Sequence, residues 1–457
     1  MRFLSRHCFI LALILFVANP VSASWWWPFG KSHVTPTPPP EVIPRGKYIP
    51  TTGDPSQKIY PKKDKKEDEI SVEKVKDLAK GGNSNAQLTL GKIYFDGVAG
   101  EKQDFKKAFH WFQEAAKNGN PEAMYNLAIC YDGGFGVKKA SETKALAWYK
   151  YAAEHGVPEA QLKTAIFAEA QGKPDEAFRY YKMLADNGDP SCQYQVALQY
   201  LNAYGVEGNP EEAIKYLLQA SEKGHTRAQI RLADCYQRGI GTRQNFLEVF
   251  NWLTLAAHDG DPEAQAKLGV CYLNGIGIPA NPDLAFHWFK ISAEAKYPVA
   301  QFLMANCYKD GVGTQKNPIA AFELYLQAAE TDEPLAQYEL AMAFMEGRGT
   351  RIDPKRGREW LTKAAENGLP IAQAKLAVAL AEDSEDAPAD LQKAKELLEK
   401  AAASDDPAAR IQVALCYLKG EVVPKDTEKA RKLLENAALS GDKSAAEIYK
   451  FYFGKEF

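Results

Sequence analysis

The stretch "AQAKLGVCYLNGIGIPANPDLAFHWFKISAEA", residues 264–295, decides the fold. It carries groups that catalytic sites use: Cys271 beside Tyr272, a glycine loop at Gly275 and Gly277, and His287 beside Trp288. A site of that kind occurs once in a chain. This stretch recurs: "AQLTLGKIYFDG" begins at Ala86, "AQIRLADCYQRGIG" at Ala228, "AQFLMANCYKDGVG" at Ala300 and "AQYELAMAFMEGRG" at Ala336. Further copies begin at Ala123, Ala160, Cys192, Ala372 and Ala409, which makes ten units at a period of about 36 residues. Such a period marks stacked supersecondary units, each unable to bury its apolar faces alone.

Each unit reads as two helices. In the first, Ala264, Leu268 and Tyr272 recur at i, i+4 and i+8, one apolar stripe. Asp261 followed by Pro262 supplies an N-cap and a proline at N1, where a missing N–H costs nothing. The glycine loop turns the chain, and Asn281–Pro282, Asn317–Pro318 and Asp353–Pro354 restart it as a second helix. That helix carries an alanine, an aromatic and an alanine pair, as in Ala108, Trp111, Ala115 and Ala116.

The ends read differently. Arg2 and Arg6, the apolar run Cys8–Ala18 and the small residues Ser22 and Ala23 have the order of a secretory signal peptide over 1–23. The apolar run is shorter than the ~20 residues of a spanning helix. An uncleaved anchor with Trp25, Trp26 and Trp27 at the membrane interface is the alternative. Residues 24–70 hold the prolines of "TPTPPP" and the charge run "KKDKKEDE" and read as a flexible linker. A formal net charge of −3, with both signs interspersed, gives no basic stripe for nucleic acid or an anionic membrane.

The pattern A-x-x-x-[LV]-[GA]-x-x-Y-x-x-G-x-G, followed by A-x-x-W-x-x-x-A-A, resembles Sel1-like repeats, relatives of the tetratricopeptide repeat, and covers residues 71–457. The resemblance implies an all-α, right-handed α-solenoid of about ten helix-turn-helix repeats. Residues 71–81 and 445–453 are expected to cap it as half-repeats. The units at 160–191 and 372–408 depart from the pattern, because neither contains the G-x-G loop. A cysteine-rich bacterial branch of this family pairs cysteines within each hairpin and is associated with penicillin binding and β-lactamase activity. Here the position after the leading alanine is mostly glutamine, as in Gln87, Gln265 and Gln337, so that framework is missing.

The remaining chemistry-bearing residues read structurally. Cys130, Cys235, Cys271, Cys307 and Cys416 share the eighth position of their units. Stacked helices lie about 8–10 Å apart, too far for a disulfide between equivalent positions, so these read as small buried thiols. S-x-x-K occurs at Ser71, Ser141 and Ser440, but S-D-N and K-T-G do not, and N-capping accounts for the first two serines. His110 and His287 read as partly exposed structural histidines, and the second-position glutamines as bonded to a neighbouring unit's loop. No catalytic residue, metal site, disulfide or cofactor is expected.

Function is then expected from the array. First helices are expected to line a concave wall. Their third and fourth positions vary on an otherwise regular scaffold: Tyr125, Asn126, Tyr194, Arg231, Lys267, Phe302, Tyr338 and Glu339. These are the candidate contacts of a protein or peptide held by a secreted or periplasmic adaptor, unless the aromatics serve only inter-unit packing. A cell-wall enzyme, β-lactamase-like or peptidoglycan-associated, and a membrane-anchored regulator are the alternative readings.

Overall fold

The structure is a computed structural model that describes residues 71–382 and 388–454. The expected signal peptide 1–23 and linker 24–70 lie outside the described residues. The chain divides into two compact units, one running to Gln244 and one from Asn245. The first holds α1 (Val72–Lys80), α2 (Ser84–Asp96), α3 (Phe105–Lys117), α4 (Pro121–Gly133), α5 (Glu142–Glu154), α6 (Pro158–Ala170), α7 (Pro174–Asp186), α8 (Pro190–Asn202), α9 (Pro210–Glu222) and α10 (Thr226–Arg238). The second holds α11 (Phe246–His258), α12 (Pro262–Asn274), α13 (Pro282–Glu294), α14 (Pro298–Asp310), α15 (Pro318–Ala329), α16 (Pro334–Glu346), α17 (Pro354–Glu366), α18 (Pro370–Glu382), α19 (Pro388–Ala403), α20 (Pro407–Lys419), α21 (Thr427–Leu439) and α22 (Lys443–Phe453). Even-numbered helices are the first helices of the hairpins. The fold is an all-α solenoid of tandem hairpins, with no strand among the described residues.

Caps set the boundaries. Asp261 Oδ1 accepts from the Ala264 N–H at 2.9 Å, and Asn281 Oδ1 from the Leu284 N–H at 3.1 Å. Gly275 closes α12 in the left-handed region, its N–H donating to the Cys271 carbonyl. The Asn281 N–H then reaches back to the Tyr272 carbonyl at 2.7 Å and fixes the seven-residue connection. The second glycine of each loop has a different reason. A methyl at Gly277 would strike the Phe246 carbonyl, one at Gly313 the Pro282 carbonyl, and one at Gly349 the Pro318 carbonyl. Each loop therefore seats on the first turn of the preceding hairpin's second helix, where no side chain fits.

Apolar side chains fill the space between three successive helices. Ala305, Tyr325, Ala329, Ala336, Leu340 and Phe344 form one cluster through α14, α15 and α16. Full burial of each large side chain contributes roughly 1.5–3 kcal/mol. The second-position glutamines stitch the stack. Gln87, Gln161, Gln265 and Gln337 donate to the carbonyls of Ala79, Ala153, Ala257 and Ala329, eight residues back. The expected target, a neighbouring loop, is thus corrected: all four reach the last turn of the preceding helix, where carbonyls lack an intrahelical donor, and Gln337 also reaches the loop, donating to Asp332 Oδ1 at 3.2 Å.

Both end half-repeats are present as helices, α1 and α22. The two irregular units are also visible. Helices α6 and α7 are joined by the three residues Gln171–Lys173, and α19 runs to 16 residues.

Candidate functional site

The eight candidate contacts sit on first helices, α4, α8, α10, α12, α14 and α16. Tyr125 is half-buried, its ring centroid 5.7 Å from that of Tyr149 in the same hairpin. Phe302 makes the same contact with Tyr325 at 6.0 Å. Tyr194 stacks on His225 at 5.0 Å, and Tyr338 packs against the cluster of Ala341, Leu361 and Ala372. Burial holds the Tyr338 hydroxyl above its ordinary range. The aromatic third position therefore packs within a hairpin as well as between hairpins.

The fourth position divides. Asn126 is half-buried and spends its amide on the Glu122 carbonyl, 2.7 Å away. Arg231 is half-buried, and its Nε has no hydrogen-bond partner among the described residues. Lys267 is only 1% exposed, its ammonium 2.9 Å from Glu263. A solvent-facing fourth position is therefore not what the structure shows at Lys267. The fully packed arc of α12 includes Gln265, Ala266, Lys267 and Leu268, wider than one stripe.

Glu339 anchors a half-buried ionic cluster. Lys309 Nζ reaches its Oε1 at 3.1 Å, and Arg348 Nη2 its Oε2 at 3.3 Å. Arg348 Nε also pairs with Glu346 at 2.9 Å. Next to Lys309 in sequence, burial raises the Asp310 carboxyl above the usual range, against the pull of Lys309; on α18, burial lowers the Lys375 ammonium. These pairs tie α14 to α16 and its following loop. Neither Lys309 nor Arg348 was singled out by sequence: Lys309 finds its partner in the next unit, and Arg348 reaches back from the glycine loop of its own unit.

The chemistry-bearing motifs resolve into structure. Ser71 Oγ accepts from the Lys74 N–H at 3.3 Å and Ser141 Oγ from the Lys144 N–H at 3.4 Å. Ser440, at the end of α21, donates to the Asn436 carbonyl at 2.9 Å. The six described cysteines are buried free thiols, and burial pushes the Cys271 and Cys307 thiols up to about 12. His110 and His287 are exposed, more so than expected, each ring against the tryptophan that follows it. Sequence reasoning missed His225. Its Nδ1 accepts from the Ala228 N–H at 3.1 Å, so it caps α10 where Asp189 and Asp261 cap α8 and α12. Among the described residues no three His, Cys, Asp or Glu side chains converge as a metal site, and no helix is long and apolar enough to cross a membrane.

Among curated proteins, none matches the chain significantly. Two solved structures are similar over most of the described residues. The first is c5321, described as a protective antigen present in uropathogenic Escherichia coli strains displaying an SLR fold. It is 30% identical, with 84% of each chain covered and a TM-score of 0.62. The second is a Sel1 repeat protein from Oxalobacter formigenes, 26% identical, covering 70% of this chain and 97% of that one with a TM-score of 0.54. The Sel1 repeat family model matches ten times in tandem, at residues 84–120, 121–157, 158–189, 190–225, 226–261, 262–297, 298–331, 334–369, 370–406 and 407–442. Ten hairpins whose recurring residues all serve helix packing, caps or loops carry one conclusion: the chain belongs to the Sel1 repeat family.

Proposed function

We propose that the protein is a non-enzymatic adaptor that holds a protein or peptide partner against its first helices, and that it works after export, directed by residues 1–23. Repeat proteins of this kind bind protein partners, and Sel1 repeat proteins are typically non-enzymatic scaffolds. One observation supports the placement. On α2, α6 and α8 the leading residue and the glutamine after it are buried, and on α4 Ala123 and Met124 are buried in the same places, while the fourth position changes from exposed Thr89 to half-buried Asn126, Lys163 and Gln195. A fixed backbone with a changing side chain at one repeated position provides recognition without ordering cost on the scaffold side.

The test is a cross-linked pull-down from envelope extract with the full chain as bait. A second bait carries Asn126→Ala, Lys163→Ala and Gln195→Ala, and a third carries Lys106→Ala and Glu211→Ala on second helices. Enrichment of one protein by the first and third baits, and its loss from the second, supports the reading. Equal enrichment by all three places the contact elsewhere. N-terminal sequencing of the exported protein tests the location: a start at Ser24 supports cleavage of the leader, and a start at Met1 supports the anchored alternative.

A further inference from the structure

In the first unit, loops cover the starts of second helices. A methyl at Gly136 would strike the Phe105 carbonyl of α3, one at Gly205 the Pro174 carbonyl of α7, and one at Gly241 the Pro210 carbonyl of α9. Helix α5 is the exception. The hairpin after it closes through the short turn Gln171–Lys173, and a methyl on Gly172 would meet nothing within 4 Å. The missing loop leaves the first turn of α5 open.

An open groove lies at this end. Its floor is Phe109 and Tyr131, which meet edge to face at 5.5 Å and 89°. One wall is the loop Gly136–Ser141, held in place by Phe135, whose ring lies 5.4 Å from Phe95 and 5.0 Å from Phe105. Lys138, Lys139 and Lys144 form the rim, with Lys144 Nζ 5.4 Å from the centre of the Tyr131 ring. No carboxylate among the described residues pairs with these three ammonium groups. The acidic residues nearest in sequence, Asp132 and Glu142, do not line the groove, and Asp132 is hydrogen-bonded to Tyr149. The amino end of α5 adds further positive potential.

We propose that this groove docks an acidic peptide segment bearing one aromatic or branched apolar side chain. The apolar side chain covers the Phe109–Tyr131 floor, and flanking carboxylates meet Lys138, Lys139 and Lys144. A peptide fits better than a nucleic acid. The floor rings are perpendicular and offer no parallel platform for bases, and three lysines on a chain of net charge −3 make a point contact, not a stripe. The site lies apart from the fourth-position residues of the first helices, so either surface can fail without the other.

The test uses the full chain and a fluorescein-labelled heptapeptide of acidic residues around a central phenylalanine. Companion probes replace the phenylalanine by serine, replace every acid by lysine, or substitute single-stranded DNA of equal charge. The acidic peptide is expected to bind, and Lys138→Glu with Lys139→Glu to weaken it at least about tenfold. Both lysines are exposed, so the thermal midpoint of the double variant is expected to match that of the parent. Raising salt from about 50 to about 500 mM is expected to weaken binding severalfold. Affinity unmoved by the double variant overturns the proposal. So does equal binding of the serine peptide, which removes the aromatic floor, or of the DNA, which makes the patch a general polyanion contact.

Discussion

Gly269 and Phe289 are fitted to each other: a methyl at Gly269 would come within 2.5 Å of Phe289 Cε1. Gly91 and Phe112 repeat the relation at 2.6 Å. Where an alanine holds this position the partner varies: Leu361 in the cluster of Ala341, but Tyr149 in that of Ala128 and Tyr325 in that of Ala305. Against Phe289, Gly269→Ala is expected to destabilise the protein by about 1–3 kcal/mol through overpacking. Adding Phe289→Leu should recover part of the loss. Urea unfolding of the two variants measures both terms, and an additive result would remove the steric account.

The loop seats make a second prediction. Gly277 has φ +72 and its methyl would strike the Phe246 carbonyl, whereas Gly260 has φ +91 and open space around it. Gly260→Ala is expected to cost only the left-handed backbone penalty, about 1–2 kcal/mol. Gly277→Ala should cost more, and the difference between their unfolding free energies is the seat between adjacent hairpins.

The glutamines differ in how fully they are used. Gln337 donates to the Ala329 carbonyl and accepts from Asn367 Nδ2 at 3.0 Å, while the buried Oε1 of Gln265 has no partner among the described residues. Gln337→Leu orphans two groups and is expected to cost about 1–3 kcal/mol. Gln265→Leu also removes an unsatisfied oxygen and should cost less. Parallel thermal melts decide the order.

His225 makes stability depend on pH. Burial lowers its pKa below the ordinary 6.5, and its Nδ1 must stay unprotonated to cap α10. The unfolded chain binds the proton more readily, so the contribution is complete above the unfolded-state pKa. It is lost as pH falls from about 6.5 toward the lower folded value. His225→Asn keeps a cap acceptor that does not titrate in this range, as Asn83 and Asn120 do for α2 and α4. Denaturant melts at pH 5 and pH 7.5 should show a smaller pH difference for that variant.

The buried thiols should be silent. Cys271 is 0% exposed, and burial pushes its pKa up to about 12. Alkylation of the described cysteines at neutral pH is expected to proceed only on unfolding. Rapid labelling of the native protein, located by mass spectrometry to Cys271 or Cys307, would contradict this.

Much of the fold was legible because its devices are local and repeated. Asp261 ahead of Pro262, and Asn281 ahead of Pro282, announce helix starts without reference to anything distant. Lys267 was not legible. A first helix is packed from both sides in the stack, so its buried arc exceeds the single stripe that i, i+4, i+8 counting reveals, and a lysine can lie inside it with Glu263. His225 escaped notice because histidine is outside the usual set of capping residues. The Lys309–Glu339–Arg348 cluster joins different turns of the stack, and a pattern within one unit does not record it.

The short turn Gln171–Lys173 has one further consequence. Hairpin arrays unfold as a row of coupled segments, and each coupling sets how far a local opening spreads. Every loop seat adds to that coupling, and at α5 one is missing. Under tension or in mild denaturant the first unit is expected to yield there, so α6 and α7 mark the site where proteolysis begins and where amide exchange is fastest.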